Sequence, residues 1–126
     1  MKNAQKKIAD ILSNDPSVEF AYLFGSRAAG RADPGSDWDI AVFYKEKGKT
    51  MGWRRFYQEA EISRVLGAEA QITVLNGLNS PLLLFEIISK GILIVDKAPG
   101  RRMVFESRSM AAHYDWQHFQ ARQVSN

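Results

Sequence analysis

The chain predicts a mixed α/β (α+β) domain, a small mixed sheet flanked by helices. Two observations carry that expectation. Segments with the apolar spacing of helices alternate with short runs of strand character, and Gly, Pro or Asn stands at most of the junctions between them. At 126 residues there is room for one domain with a modest core and not for two. Residues 1–126 are therefore read as a single domain.

The first helix is expected over Lys2 to Asn14, where Ala4, Ile8, Ile11 and Leu12 recur at helical spacing and Asp15-Pro16 stops the run. Val18 to Phe24 reads as a strand with Val18, Phe20, Tyr22 and Phe24 on one face. A loop or short helix follows Gly25-Ser26. Asp37 to Tyr44 is the second strand, and the polar run Lys45 to Lys49 closes it as a loop. Met51 to Leu66 reads as an amphipathic helix whose core face carries Trp53, Phe56, Tyr57, Ala60 and Val65, with Gly67 as its stop. Ala70 to Leu75 is a third strand, leaving through Asn76-Gly77. Ser80-Pro81 supplies an N-cap and a first-position proline for a helix over Leu82 to Lys90. Gly91 ends it, Ile92 to Val95 is a short strand, and after Pro99-Gly100 a polar, aromatic-bearing helix runs from Arg101 to about Gln120.

Composition narrows the function. The absence of cysteine removes disulfide frameworks and thiolate metal sites. No early apolar run resembles a signal peptide and no stretch is long enough to span a bilayer, so a cytoplasmic location is expected. The net charge of +3 is a mild bias toward anionic partners. Arg54-Arg55, Arg101-Arg102 and the series Lys45, Lys47, Lys49 read as solvated surface charge. No basic recognition helix appears, so direct DNA binding is not expected. His113 and His118, five residues apart, fall on different helix faces.

The sharpest feature is local. Gly25-Ser26 follows the first apolar strand, and after ten intervening residues come Asp37 and Asp39 at the start of the second. Residues at i and i+2 of a strand share a face, so both carboxylates project together while Trp38 points away. Paired carboxylates suit Mg²⁺, which takes its remaining ligands from water and a nucleotide's phosphates. A strand ending in Gly-Ser gives close backbone approach and exposed N–H groups for such phosphates. Metal-assisted chemistry on a nucleoside triphosphate is the implied class.

The segment Leu23-Phe24-Gly25-Ser26-Arg27-Ala28-Ala29-Gly30 through Ser36-Asp37-Trp38-Asp39-Ile40-Ala41-Val42 resembles the signature of the polymerase-β-like nucleotidyltransferases. The short chain is similar to their minimal members, the antitoxin partners of HEPN-domain toxins. Ala70 to Asn76, Phe85-Glu86-Ile87-Ile88, Gly91 to Val95 and the tail with Phe105-Glu106, Arg108 and Tyr114-Asp115 continue the likeness, although only the Gly-Ser and Asp-x-Asp block is strongly specific.

The resemblance implies the polymerase-β-like nucleotidyltransferase fold and transfer of AMP from Mg-ATP to a hydroxyl, a tyrosine of a cognate HEPN toxin. Asp37 and Asp39 would be the catalytic metal ligands, holding two Mg²⁺ ions. Gly25 and Ser26 would cradle the phosphates, and Arg27 and Arg31 would offset pyrophosphate charge. Ser36 is placed with the nucleotide site, chiefly to order the loop before Asp37. The family's third carboxylate matches Gln71, a neutral amide that cannot act as a base. Glu69, two residues earlier on the same side, is the other residue considered for that position. Two alternatives follow: a fold that neutralises the toxin by contact alone, or a transferase for a small molecule.

Overall fold

The computed structural model describes residues 2–45 and 49–125. Its elements are α1 (Lys2–Ser13), β1 (Val18–Phe24), α2 (Gly25–Ala28), β2 (Trp38–Tyr44), α3 (Lys49–Leu66), β3 (Ala70–Val74), α4 (Pro81–Lys90), β4 (Ile92–Asp96) and α5 (Pro99–Ser125). The four strands form one sheet in the order β3-β2-β1-β4. β1 runs antiparallel to β2 and β4, and β3 runs parallel to β2. A parallel neighbour needs a crossover rather than a hairpin, and α3 supplies it. The mixed sheet with flanking helices is the expected architecture.

Two apolar layers cover the sheet. On one face Ile8 and Leu12 of α1 and Ile62 of α3 pack on Leu23, Trp38, Ile40, Val42 and Ile72. On the other, Leu84 and Ile87 of α4 pack on Phe20, Tyr22 and Ala41, with Phe105 of α5 against them. The Phe20 and Phe43 rings stack at 4.7 Å and Phe105 closes on Phe20 at 5.5 Å, which fixes the start of α5 to the sheet. β1 lies between the layers and is buried on both faces. Its alternation departs from the expected pattern at one end. The β1/β2 register shifts between Val18 and Phe20, so Val18 joins the α1/α3 layer while Phe20 and Tyr22 join the other.

α3 corrects a larger expectation. Trp53, Phe56 and Tyr57 are 66%, 60% and 66% exposed and do not form its core face. The buried side is led by Gln58 and Ile62, with Leu66 partly buried one turn on. Gln58 stands five residues past Trp53, a rotation of about 140° at 3.6 residues per turn. Hydrogen bonds set that rotation. Gln58 Nε2 donates to Asp15 Oδ2 at 2.6 Å and its Oε1 accepts from the Tyr44 hydroxyl. Glu59 Oε2 accepts from the Ile72 N–H at 2.7 Å and Ser63 Oγ from the Ala70 N–H at 3.0 Å, so α3 caps the outer edge of β3. The helix also begins at Lys49, inside the stretch expected as a loop; Lys47 lies outside the described residues.

The basic doublets are more than solvated charge. Arg54 pairs with Asp15 at 3.0 Å, Arg101 with the buried Glu19 at 3.3 Å, and Arg102 with Asp96 at 3.1 Å and Glu106 at 2.9 Å. α4 is capped as expected: Ser80 Oγ accepts from the Leu83 N–H at 3.3 Å and Pro81 opens the helix. His113 stacks on Phe85 at 4.0 Å and His118 lies against Tyr114 at 4.3 Å, on different neighbours.

Candidate functional site

β1 ends at Phe24, which pairs across the ladder with Asp39 of β2. The next residue, Gly25, turns at φ +77° into α2 and comes down on Asp39. A Cβ at Gly25 would strike Asp39 Oδ2 and lie 3.2 Å from its Cγ. Glycine is required twice over, by its left-handed backbone and by the closeness of that carboxylate. Asp37 stands just before β2 and shares a side with Asp39, and Trp38 between them turns into the α1/α3 layer at 4% exposure. Burial, reinforced by the negative charge of Asp37, pushes the Asp39 carboxyl above the usual carboxylate range.

β3 brings up the third position. Gln71 pairs in register with Asp39, and the Trp38 N–H bonds to the Glu69 carbonyl at 2.9 Å, which sets Glu69 beside Asp37. Gln71 and Glu69 are both exposed. Among the described residues no third His, Cys, Asp or Glu gathers with the two aspartates. Neither aspartate has a salt-bridge partner there either. Two neighbouring carboxylates, one resisting ionisation and neither paired, are a donor set suited to a hard divalent cation such as Mg²⁺.

The loop between α2 and β2 is held from within. Arg27 donates from Nε and Nη2 to the Ser36 carbonyl at 3.2 and 2.8 Å, and its guanidinium lies 4.4 Å over the Trp38 ring. Ser36 Oγ accepts from the Asp33 N–H at 3.0 Å, and Asp33 Oδ1 accepts from the Gly35 N–H at 3.0 Å. Ser36 thus ties the loop together through both its carbonyl and its hydroxyl. Arg27 engages the backbone and an indole, a staple the sequence reading did not foresee. The signal was an arginine just after Gly-Ser and a tryptophan between the aspartates. Ser26 is half-buried on α2, its carbonyl accepting from the Arg31 N–H at 3.0 Å.

An open cleft of about 490 Å³ lies elsewhere, lined by Phe43, Leu75, Leu84, Phe105 and Arg108 among others. It meets β2 at the end away from Asp39 and contains neither aspartate. The chemistry-bearing groups sit at the sheet's rim instead.

A mixed sheet whose first strand turns through Gly-Ser onto a carboxylate pair of the second is the framework of the site. Residues 6–99 match the family described as "Polymerase beta, Nucleotidyltransferase", and the chain belongs to that family. A 37-residue stretch is 46% identical to the protein adenylyltransferase MntA of Aphanizomenon flos-aquae (strain 2012/KM1/D3). That stretch covers 29% of this chain and 25% of the relative's length. Among solved structures, a toxin–antitoxin complex with AMP-PNP contains a chain that aligns at a TM-score of 0.74 and 23% identity, over 98% of this chain and 94% of that one. A tri-AMPylated Shewanella oneidensis HEPN toxin in complex with an MNT antitoxin gives 0.70 and 21%, over 98% and 92%. At these identities the structures establish the fold.

Proposed function

We propose that this chain transfers AMP from Mg-ATP to a tyrosine hydroxyl of a cognate HEPN-domain toxin and acts, in the cytoplasm, as its antitoxin. The observation that carries the reading is the Gly25 turn seated on the Asp39 carboxylate with Asp37 alongside. Support for the acceptor comes from the relatives, an adenylyltransferase and an antitoxin complexed with an AMPylated HEPN toxin.

Asp37 and Asp39 would hold the metal in this reading. Two Mg²⁺ ions would offset the triphosphate charge and stabilise the attacking and leaving oxygens. The Gly25 and Ser26 N–H groups and the Ser26 hydroxyl receive the phosphates, and Arg27 with Ser36 keeps the loop that carries Asp37 in place. The acceptor oxygen bonds to the α-phosphorus, the bond to the bridging oxygen breaks, and pyrophosphate leaves with that electron pair. The hydroxyl proton passes to solvent, because the amide of Gln71 has no basic site for it.

Intact-mass spectrometry of the toxin after incubation with this chain and Mg-ATP tests the reading. The toxin should gain one or more AMP units, and a chelator should abolish the gain. An unmodified toxin that nevertheless binds the chain would overturn the transferase assignment.

Gln71 beside Asp39 favours a second reading, an antitoxin that works by contact with a weakened site. Gln71→Asp separates the two. A restored acid should raise the transfer rate by as much as 10²–10⁴-fold when well placed, roughly the usual worth of a general base. Glu69→Gln should be the damaging change if Glu69 already serves. A wild type without activity beside an active Gln71→Asp would favour the contact reading for the natural chain.

A further inference from the structure

α3 carries a stripe that its own fold leaves uncovered. Trp53, Tyr57, Ala60 and Arg64 recur at spacings of four, three and four residues, the seam periodicity of a helix that pairs with another. Phe56 and Glu61 flank the seam, and all six residues are exposed. The aromatic rings touch, with centroids 6.4 Å apart for Trp53 and Tyr57 and 6.3 Å for Phe56 and Tyr57, so the patch is continuous. An aromatic side chain has about 150–250 Å² to bury, so three that are mostly exposed leave on the order of 300–450 Å² facing water. That falls within the size of the largest patch on a typical monomer, which is often functional.

The stripe is graded along its length. Its N-terminal half is bulky, and its C-terminal half is small and cationic. Arg64 has no salt-bridge partner among the described residues. Two copies of α3 running antiparallel would set Tyr57 over Ala60 and the Trp53 ring against the Arg64 guanidinium, a cation–π contact. A parallel pair would stack Trp53 on Trp53 and leave Ala60 facing Ala60 across a gap. The antiparallel match is self-complementary, as a two-fold interface requires.

We propose that the α3 stripe is a docking surface for a second copy of this chain, the two α3 helices packing antiparallel. The carboxylate pair lies on the opposite face of the sheet, so dimerisation leaves both sites open, whatever reaction they perform.

Sedimentation equilibrium on the full chain at tens of micromolar should give a dimer. Trp53→Ser with Tyr57→Ser, and separately Ala60→Glu, should give monomers whose melting temperature at high dilution matches that of the wild type, because these side chains face solvent in the single chain. The absence of native cysteine allows a test of direction. Mixed Tyr57→Cys and Ala60→Cys chains should cross-link to each other more than to themselves. A monomeric wild type, as expected if a different protein covers the stripe, overturns the proposal. So do variants that remain dimeric, or a preference for like-with-like cross-links.

Discussion

At the level of single residues, Gly25 and Asp39 form one unit. A methyl group at Gly25 meets the carboxylate and forces a left-handed backbone on a residue with a Cβ, so Gly25→Val should displace Asp39 as well as block the phosphates. If the site takes Mg-ATP as proposed, Ser26→Ala removes a single hydrogen bond to a charged oxygen, worth about 1.5–3 kcal/mol. Calorimetric titration with Mg-ATP should therefore rank wild type over Ser26→Ala over Gly25→Val, and equal affinities would place the nucleotide elsewhere. Asp37→Asn and Asp39→Asn should each abolish transfer without unfolding the chain. The folded-state pKa of Asp39 is raised, so its contribution to stability is fully present below the unfolded pKa and is lost as pH rises through the folded one. Asp39→Asn should consequently melt no lower than wild type at neutral pH without metal, and added Mg²⁺ should raise the melting temperature of the wild type only. The motif made these residues legible, because its spacing alone implies a shared face. Arg27 was not legible, because its role depends on where the loop places the Ser36 carbonyl.

Among the elements, α3 shows where pattern reading fails. Its most apolar stripe includes Trp53, Phe56 and Tyr57, and periodicity assigns such a stripe to the core. Polar anchors decided otherwise: Asp15 at the α1–β1 turn accepts from Ser17, from Arg54 at 3.0 Å and from Gln58 at 2.6 Å. Burial acts to raise the Asp15 pKa, but the Ser17 hydrogen bonds and the Arg54 charge outweigh it and hold the carboxyl below its ordinary value. The sign is opposite to that of Asp39. Stability from Asp15 is present above the unfolded carboxylate pKa and lost as pH falls through the folded one. Asp15→Ala also leaves the buried Gln58 without its acceptor, a loss of about 1–3 kcal/mol. Denaturant melts at neutral pH should show that loss. An acid titration of the variant should show a shallower decline than wild type.

Across the whole molecule, the alternation of helices and strands was enough to give the layers, since each apolar face needs cover. Strand order was less accessible: nothing local says that β3 lies parallel beside β2 while β1, between β2 and β4, runs against both. The pairing that places Gln71 next to Asp39 depends on that order, which only the crossover through α3 fixes. α5 is joined to the sheet by the Phe20, Phe43 and Phe105 cluster and by the Tyr22 hydroxyl donating to Glu106, which Arg102 links to Asp96. Burial, then the bond to Glu106, pushes the Tyr22 hydroxyl pKa well above the usual tyrosine range. Tyr22→Phe should therefore leave Glu106 to Arg102 alone and loosen α5, seen as faster amide exchange along its first turns with the strands unchanged.

The loop that Arg27 staples has a consequence in time rather than in energy. Its turns are closed by Asp33, Ser36 and the guanidinium in the free chain, so a nucleotide arriving at the proposed site would meet a surface that has little left to fold. Encounter would then be limited by diffusion and charge, with the observed rate climbing in proportion to nucleotide concentration and no plateau from a slow rearrangement. Arg27→Ala would free the loop and introduce such a plateau, turning a one-step capture into one that waits for the protein.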